Sequence, residues 1–275
     1  MSKINDFYQN KTLLITGAAS GIGKRFAERI SRYSGVTLLL WDRNPDQLKI
    51  IKQQLESNCE VFVCDIDISD PNRISLEADR LIKQNFLPDV IINCAGIVVG
   101  KLFHEHSSLE IEKTMQINTT GSMWVTHAFL SDMIKRGSGS IVNLGSASGY
   151  IGNPRMSVYA ASKWAILGWS ESLRIEMKQL KTGIQVTTVI PSYINTGMFE
   201  GVKPPLLTPI LETDTIVERM ATGIAKGSEQ IKAPLIVHFI PLLKAILPSS
   251  LFDWLAGNVF GVYNSMTSFK GRSKE

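Results

Sequence analysis

The chain has 275 residues, 44% hydrophobic and 20% charged, enough apolar content for one large core and too much for a disordered polymer. Its net charge of +4 comes with no basic run interleaved by aromatic residues, which excludes a nucleic-acid surface. Three cysteines (Cys59, Cys64, Cys94) and an amino terminus, MSKINDFYQN, without a secretory core point to reduced thiols and a cytoplasmic setting.

In chain order, the first predicted strand is 11–16 (KTLLIT), which runs into Gly17-Ala18-Ala19-Ser20-Gly21-Ile22-Gly23 and a helical pattern over 21–33. Strand, glycine turn and helix form the setting of a dinucleotide fingerprint, here one residue longer than the common spacing. Glycines permit the tight turn and let backbone approach a pyrophosphate, which then sits at the positive end of the helix. The second strand, 36–41, is followed by Asp42, whose carboxylate suits two ribose hydroxyls and repels a 2′-phosphate. Arg43 beside it suits that phosphate instead, so the pair favours NAD while leaving NADP open. Further strands are expected at 60–64, 89–93, 139–145, 184–190 and about 232–238, and helices at 45–56, 70–85, 107–134, 157–181 and 213–227. This alternation predicts one parallel sheet covered on both faces. Asn118 lies inside the 107–134 pattern, where asparagine is a poor helix former and signals a cap or bend. His104 and His106 flank Glu105 in a predicted loop, and no further cluster completes a metal-ligand set.

The helix over 157–181 carries the chemistry. Tyr159 and Lys163 stand one turn apart on one face, and Ser146 closes the strand before them. A free phenol, with a pKa of about 10, is too weak a base at neutral pH. A fixed ammonium beside it favours the phenolate, so Lys163 is expected to lower the pKa of Tyr159.

These residues, with Thr16-Gly17-x-x-x-Gly21-x-Gly23, Asn93-Cys94-Ala95-Gly96, Asn118 and Pro191-Ser192-Tyr193-Ile194-Asn195-Thr196, resemble the short-chain dehydrogenase/reductase family over residues 8–200. The resemblance implies an α/β fold: a single Rossmann-type domain over 1–275, doubly wound, with a parallel seven-stranded sheet in the order 3-2-1-4-5-6-7. It also implies reversible hydride transfer between an alcohol and a nicotinamide cofactor. In that scheme Tyr159 removes the alcohol proton and Ser146 holds the substrate oxygen. Lys163 binds the nicotinamide ribose, and a water at Asn118 links Lys163 to solvent. The dinucleotide would touch Gly17, Ser20, Gly21, Ile22 and Gly23, with Asp42 and Arg43 at the adenine ribose and Asp65 and Ile66 at the adenine. Asn93, Ala95 and Gly96 would line the adenosine ribose, and Pro191, Ile194 and Thr196 the carboxamide. Ser20 stands where NADP-dependent relatives often carry a basic residue. Cys94 replaces a second asparagine and Ser192 the usual glycine.

Residues 198–275 form an apolar, substrate-side region that resembles the branch of epidermal-type retinol dehydrogenases and lipid-droplet hydroxysteroid dehydrogenases. The implied substrate is a retinoid, a steroid or a long-chain alcohol, with walls from 198–212 and 235–260. Alternatively this tail packs in a homodimer or homotetramer. It also suits a lipid interface, with Phe252, Trp254 and Phe260 dipping in and Lys270, Arg272 and Lys274 facing anionic lipid. No uncharged apolar run reaches the ~20 residues of a membrane span. Two other functions are expected to compete. One is an NADPH-dependent 3-oxoacyl-carrier-protein reductase, its carrier received by Arg136 and Arg155. The other is a non-catalytic nucleotide-sensing or lipid-binding module.

Overall fold

The computed structural model describes residues 3–271. Seven parallel strands form its sheet: β1 (Thr12–Thr16), β2 (Thr37–Asp42), β3 (Glu60–Asp65), β4 (Val90–Asn93), β5 (Gly139–Leu144), β6 (Ile184–Pro191) and β7 (Gln230–Ala233). Their spatial order is β3-β2-β1-β4-β5-β6-β7. This is the expected doubly wound topology. Strands such as TLLIT in β1 and VIIN in β4 are apolar on both faces because both faces are covered.

Alternate side chains of each strand feed two cores. Leu13, Ile15, Leu38 and Ile92 point to one, where α2 (Gly21–Ile30), α3 (Pro45–Leu55) and α8 (Thr213–Ala225) supply Phe26, Ile51 and Met220. Leu14, Leu39, Trp41 and Ile91 point to the other, filled by Ala78, Phe129 and Leu173 from α4 (Pro71–Lys83), α6 (Gly121–Arg136) and α7 (Ser157–Gln179). Helix starts follow local rules. Asn44 and Asp70 accept hydrogen bonds from the first turns of α3 and α4, each with proline at its first position.

Three elements depart from expectation. The helix over 107–134 is broken into α5 (Ser108–Met115), a π-turn over Gln116–Thr120, and α6. The last strand begins at Gln230 and stops at Ala233, because Pro234 has no N–H for the ladder; 235–238 coils as a 3₁₀ turn instead. A short amino-terminal helix, α1 (Lys3–Tyr8), was not foreseen, and it docks through the Tyr8 hydroxyl, which donates to the Ala221 carbonyl at 3.0 Å.

Beyond β7 the chain makes α9 (Ile240–Ile246) and α10 (Ser249–Trp254) over the carboxyl end of the sheet, then returns along 200–206. Backbone bonds Leu206 to Phe260, Lys203 to Ser265 and Lys270 to Glu200 stitch this return in place. Phe269 finishes it by lying on Gly100, where a Cβ would meet the ring at 2.1 Å. Among the described residues no helix is long and apolar enough to cross a membrane.

Candidate active site at the carboxyl ends of the strands

Ligands of open parallel sheets sit beyond the carboxyl ends of the strands, and a cleft of about 820 Å³ opens there. Its floor depends on glycine. Gly17 has φ +66°, and a Cβ on it would stand 2.7 Å from Ala95 Cα. A Cβ on Gly23 would meet the Gly17 carbonyl oxygen at 2.3 Å, so the first turn of α2 rests directly on the loop before it. Thr16 ties β1 to the loop after β4: its hydroxyl accepts from the N–H groups of Cys94 and Ala95 at 3.1 and 3.2 Å. The result is a backbone cradle at the amino terminus of α2, with the shape and polarity that a pyrophosphate needs.

Gly17, Ser20, Gly21, Ile22, Asp42, Arg43, Ile66, Ala95, Gly96, Pro191, Ile194 and Thr196 all line this cleft. Asp42 is oriented by its own neighbourhood, each carboxylate oxygen accepting one backbone N–H at 3.0 Å, from Ala19 and Asn44. Three nucleotide residues expected from sequence, Gly23, Asp65 and Asn93, are not among those that line the cleft. Gly23 acts from beneath, as a packing contact. Asp65 ends β3 one position early, and Ile66 with Asp67 forms the wall in its place. Asn93 turns into the core, where its amide nitrogen donates to Thr126 and Asn143 at 2.9 and 2.8 Å. A strand-end asparagine pointing inward finds a polar network; Ala95 and Gly96 are the residues that face the cleft.

Tyr159 and Lys163 share a buried face of α7, with the Nζ atom 5.6 Å from the phenol ring centre. Lys163 donates to the Leu144 carbonyl at 2.7 Å, which fixes it at the end of β5. Ser146, the next turn residue, accepts from the Ser148 N–H at 3.1 Å. Burial dominates the electrostatics. It pushes the Tyr159 phenol up to about 12, and the Ser146 hydroxyl only partly offsets that rise. It brings the Lys163 ammonium down to about 8. Lys163 is not among the causes of the Tyr159 shift: its ammonium is bonded to the Leu144 carbonyl, and burial sets the direction for both groups.

Asn118 sits in the π-turn, the bend its residue type signalled, and such turns are frequent at functional sites. Its side chain lies behind the cleft wall. The amide oxygen accepts from the Ile97 N–H at 2.8 Å, and the amide nitrogen donates to the Ile97 carbonyl at 2.9 Å and to Ser162 at 3.1 Å. It clamps the loop after β4 beside Lys163.

A second, apolar pocket of about 100 Å³ adjoins the cleft. Ser146, Ser192 and Phe199 line both compartments. Leu206, Val237, Ile240, Leu243, Phe252 and Phe260 supply apolar walls. Tyr159 packs under its roof, its ring edge-on to Phe199 at 6.1 Å. Asn153 and Tyr193 in this pocket, and Phe269 and Lys270 in the cleft, were missed from sequence. Tyr193 stood inside a recognised motif, but Phe269 reaches the site only through the chain's return, which leaves no local signal.

The family model described as short chain dehydrogenase matches residues 11–206. Epidermal retinol dehydrogenase 2 of Mus musculus is 33% identical, aligning 100% of this chain with 90% of that protein. Estradiol 17-beta-dehydrogenase 11 of Macaca fascicularis is 28% identical over 95% of this chain and 87% of its own length. Among solved structures, a short-chain dehydrogenase from Sphingobium yanoikuyae in complex with NADPH has a TM-score of 0.74 and 28% identity, covering 96% of this chain and 98% of its own. One from Burkholderia phymatum in complex with NAD has a TM-score of 0.78 at 22% identity, covering 86% and 94%.

Proposed function

This chain belongs to the short-chain dehydrogenase family, and from that premise we propose that it oxidises lipophilic alcohols, or reduces the matching carbonyls, with NAD as its preferred cofactor. It is an oxidoreductase that works on CH–OH groups with a nicotinamide cofactor. The observation that carries the substrate class is the position of Ser146, in the wall shared by a polar nucleotide cleft and an apolar pocket. A reacting oxygen held there has its hydrocarbon on the apolar side and the cleft on the other. Relatives named for retinol and estradiol agree with such a substrate.

The cofactor, which the Gly17–Gly21 loop, Asp42, Ala95, Gly96, Ile194 and Thr196 suit, supplies the chemistry of accepting or giving hydride. The chain's own groups handle the proton. Ser146 donates to the substrate oxygen and fixes it. Tyr159, kept protonated by burial, is poised as the acid that protonates a carbonyl oxygen in reduction; in oxidation the same phenol must first be deprotonated. Lys163 anchors the ribose side and holds positive charge close to the ring. Asn118 keeps the loop after β4 against Lys163, a positioning role beside the water site the family implies. Asp42 favours NAD, since a second negative group on the ribose would face a carboxylate.

Leu235, Phe239, Leu242, Ile246 and Trp254, on the segments whose neighbouring residues line the apolar pocket, are all exposed. This face suits the surface of a lipid phase, from which such substrates partition. A second copy of the chain is the rival cover.

The test is turnover with NAD and with NADP against retinol, steroid alcohols, long-chain secondary alcohols and small polar alcohols. Efficient oxidation of the lipophilic group, at least tenfold faster with NAD, is the expected result. Preference for the small polar alcohols overturns the substrate class.

A further inference from the structure

The returning chain joins two loops that border the nucleotide cleft. One is the loop after β4, whose Ala95 and Gly96 line the cleft. Further along it the Phe269 ring lies on Gly100, where a Cβ would meet two more ring carbons at 2.5 and 3.0 Å. The other is the loop after β6, whose Ile194 and Thr196 line the cleft. Further along that loop, the Glu200 carbonyl accepts from the Lys270 N–H at 2.9 Å. A Cβ on the next residue, Gly201, would meet the Ser268 carbonyl oxygen at 2.1 Å. Between these attachments Phe269, Lys270 and Gly271 themselves line the cleft.

The attachments close a ring of chain: one loop leads out to Gly100, the other to Gly201, and the tail joins their outer ends. A dinucleotide held at Asp42 and at Thr196 runs between the two loops, on the inner side of that join. The tail is anchored unequally. Met266 is buried with Met156, Tyr159 and Val202, and the Ser265 carbonyl accepts from the Lys203 N–H at 3.0 Å. Beyond Met266, Ser268 and Lys270 are exposed and Phe269 is half-buried. Segments with few buried contacts open first, so Met266 is the fixed end and 268–271 the part that lifts.

We propose that residues 268–271 are a strap that gates cofactor exchange: the nicotinamide cofactor enters and leaves while Phe269 is lifted from Gly100, and reaction takes place with the ring seated. The inference rests on the nucleotide cleft holding that cofactor. It goes further in assigning the rate of exchange to the tail, which holds none of the groups that move the proton. Closing segments of this kind set turnover in many enzymes.

The experiment follows binding and release of NADH, and of NADPH alongside, by stopped-flow fluorescence on the full chain. In Phe269→Ala both association and release should become about tenfold faster, with Kd changed less than about threefold, because a gate acts on both directions alike. A side chain that merely firms the wall gives faster release and weaker binding without faster association. Gly100→Ala, which pushes the ring off its seat, should reproduce the effect. The double variant should be no faster than either single one, since both remove the same contact. Should Phe269→Ala not fold, judged by its melting temperature, Phe269→Leu takes its place. Unchanged association in the variant, or effects that multiply in the double variant, overturn the strap and leave the cofactor reading standing. If the native chain binds neither NADH nor NADPH, the cofactor reading falls and the strap falls with it.

Discussion

Tyr159 and Lys163 were legible as a pair from their spacing alone, yet their electrostatics were not. Sequence says which groups share a helix face; it does not say how much water they lose. Here both are buried, and the phenol rises to about 12 while the ammonium falls to about 8. Two outcomes follow for the pH dependence. Alcohol oxidation, which needs the phenolate, should rise with pH and level off above about pH 8, where Lys163 gives up the charge that favours it. Carbonyl reduction uses the phenol as it stands and should hold below about pH 8, then fall as Lys163, with its lowered pKa, gives up its proton. Initial rates in both directions across pH check this, and a reductive rate that climbs past that point counts against it. Tyr159→Phe should reduce kcat by about 10²–10⁴-fold with little change in melting temperature. Asp42→Ala should shift preference sharply toward NADP, read as the ratio of kcat/KM for the two cofactors. An unchanged ratio means Asp42 does not face the ribose.

The strands and their order were legible because burial on both faces leaves long apolar runs, and crossover handedness allows few topologies. What escaped was the interior of the 107–134 segment. Its apolar pattern continues through the π-turn, and only Asn118 marks the break, because one inserted residue shifts the ladder without altering hydrophobicity. The last strand was misread for the opposite reason: APLIVHF is apolar enough for a strand, but Pro234 removes the donor a ladder requires. Strand ends also carry function that no motif advertises. Thr16 holds the N–H groups of Cys94 and Ala95, so Thr16→Val leaves two partly buried donors unpaired. A loss of about 1–3 kcal/mol in stability is expected, with weaker cofactor binding because the loop facing Gly17 is released. Denaturant melts and cofactor titration report the two effects.

At the scale of the whole molecule, the nucleotide half was readable from glycines, asparagine and tyrosine in fixed order. The substrate half was readable in part: the expected wall segments, 198–212 and 235–260, do line the apolar pocket, while the returning chain beyond them, whose contacts lie far apart in sequence, was not foreseen. The same segments leave Leu235 and Ile246 each more than two-thirds exposed, with Trp254 more than half exposed. A surface of this kind gains about 25 cal/mol for each Å² of apolar area removed from water. The protein should therefore sediment with anionic liposomes, and Ile246→Glu combined with Trp254→Glu should leave it in the supernatant. If instead the native protein ignores vesicles and the double variant turns an oligomer into a monomer on a sizing column, the face belongs to a second copy.

The return of the chain has one more consequence. Phe269 and Lys270 wall the nucleotide cleft, while Val262 walls the apolar pocket and Ser265 grips Asn153. A single ribbon thus borders both chambers. Any molecule that steadies the ribbon from one side prepays part of the ordering cost for its partner on the other, and linkage makes the benefit mutual. Preference for filling one chamber before the other would then be a trait of the tail, separable by mutation from the groups that move the proton.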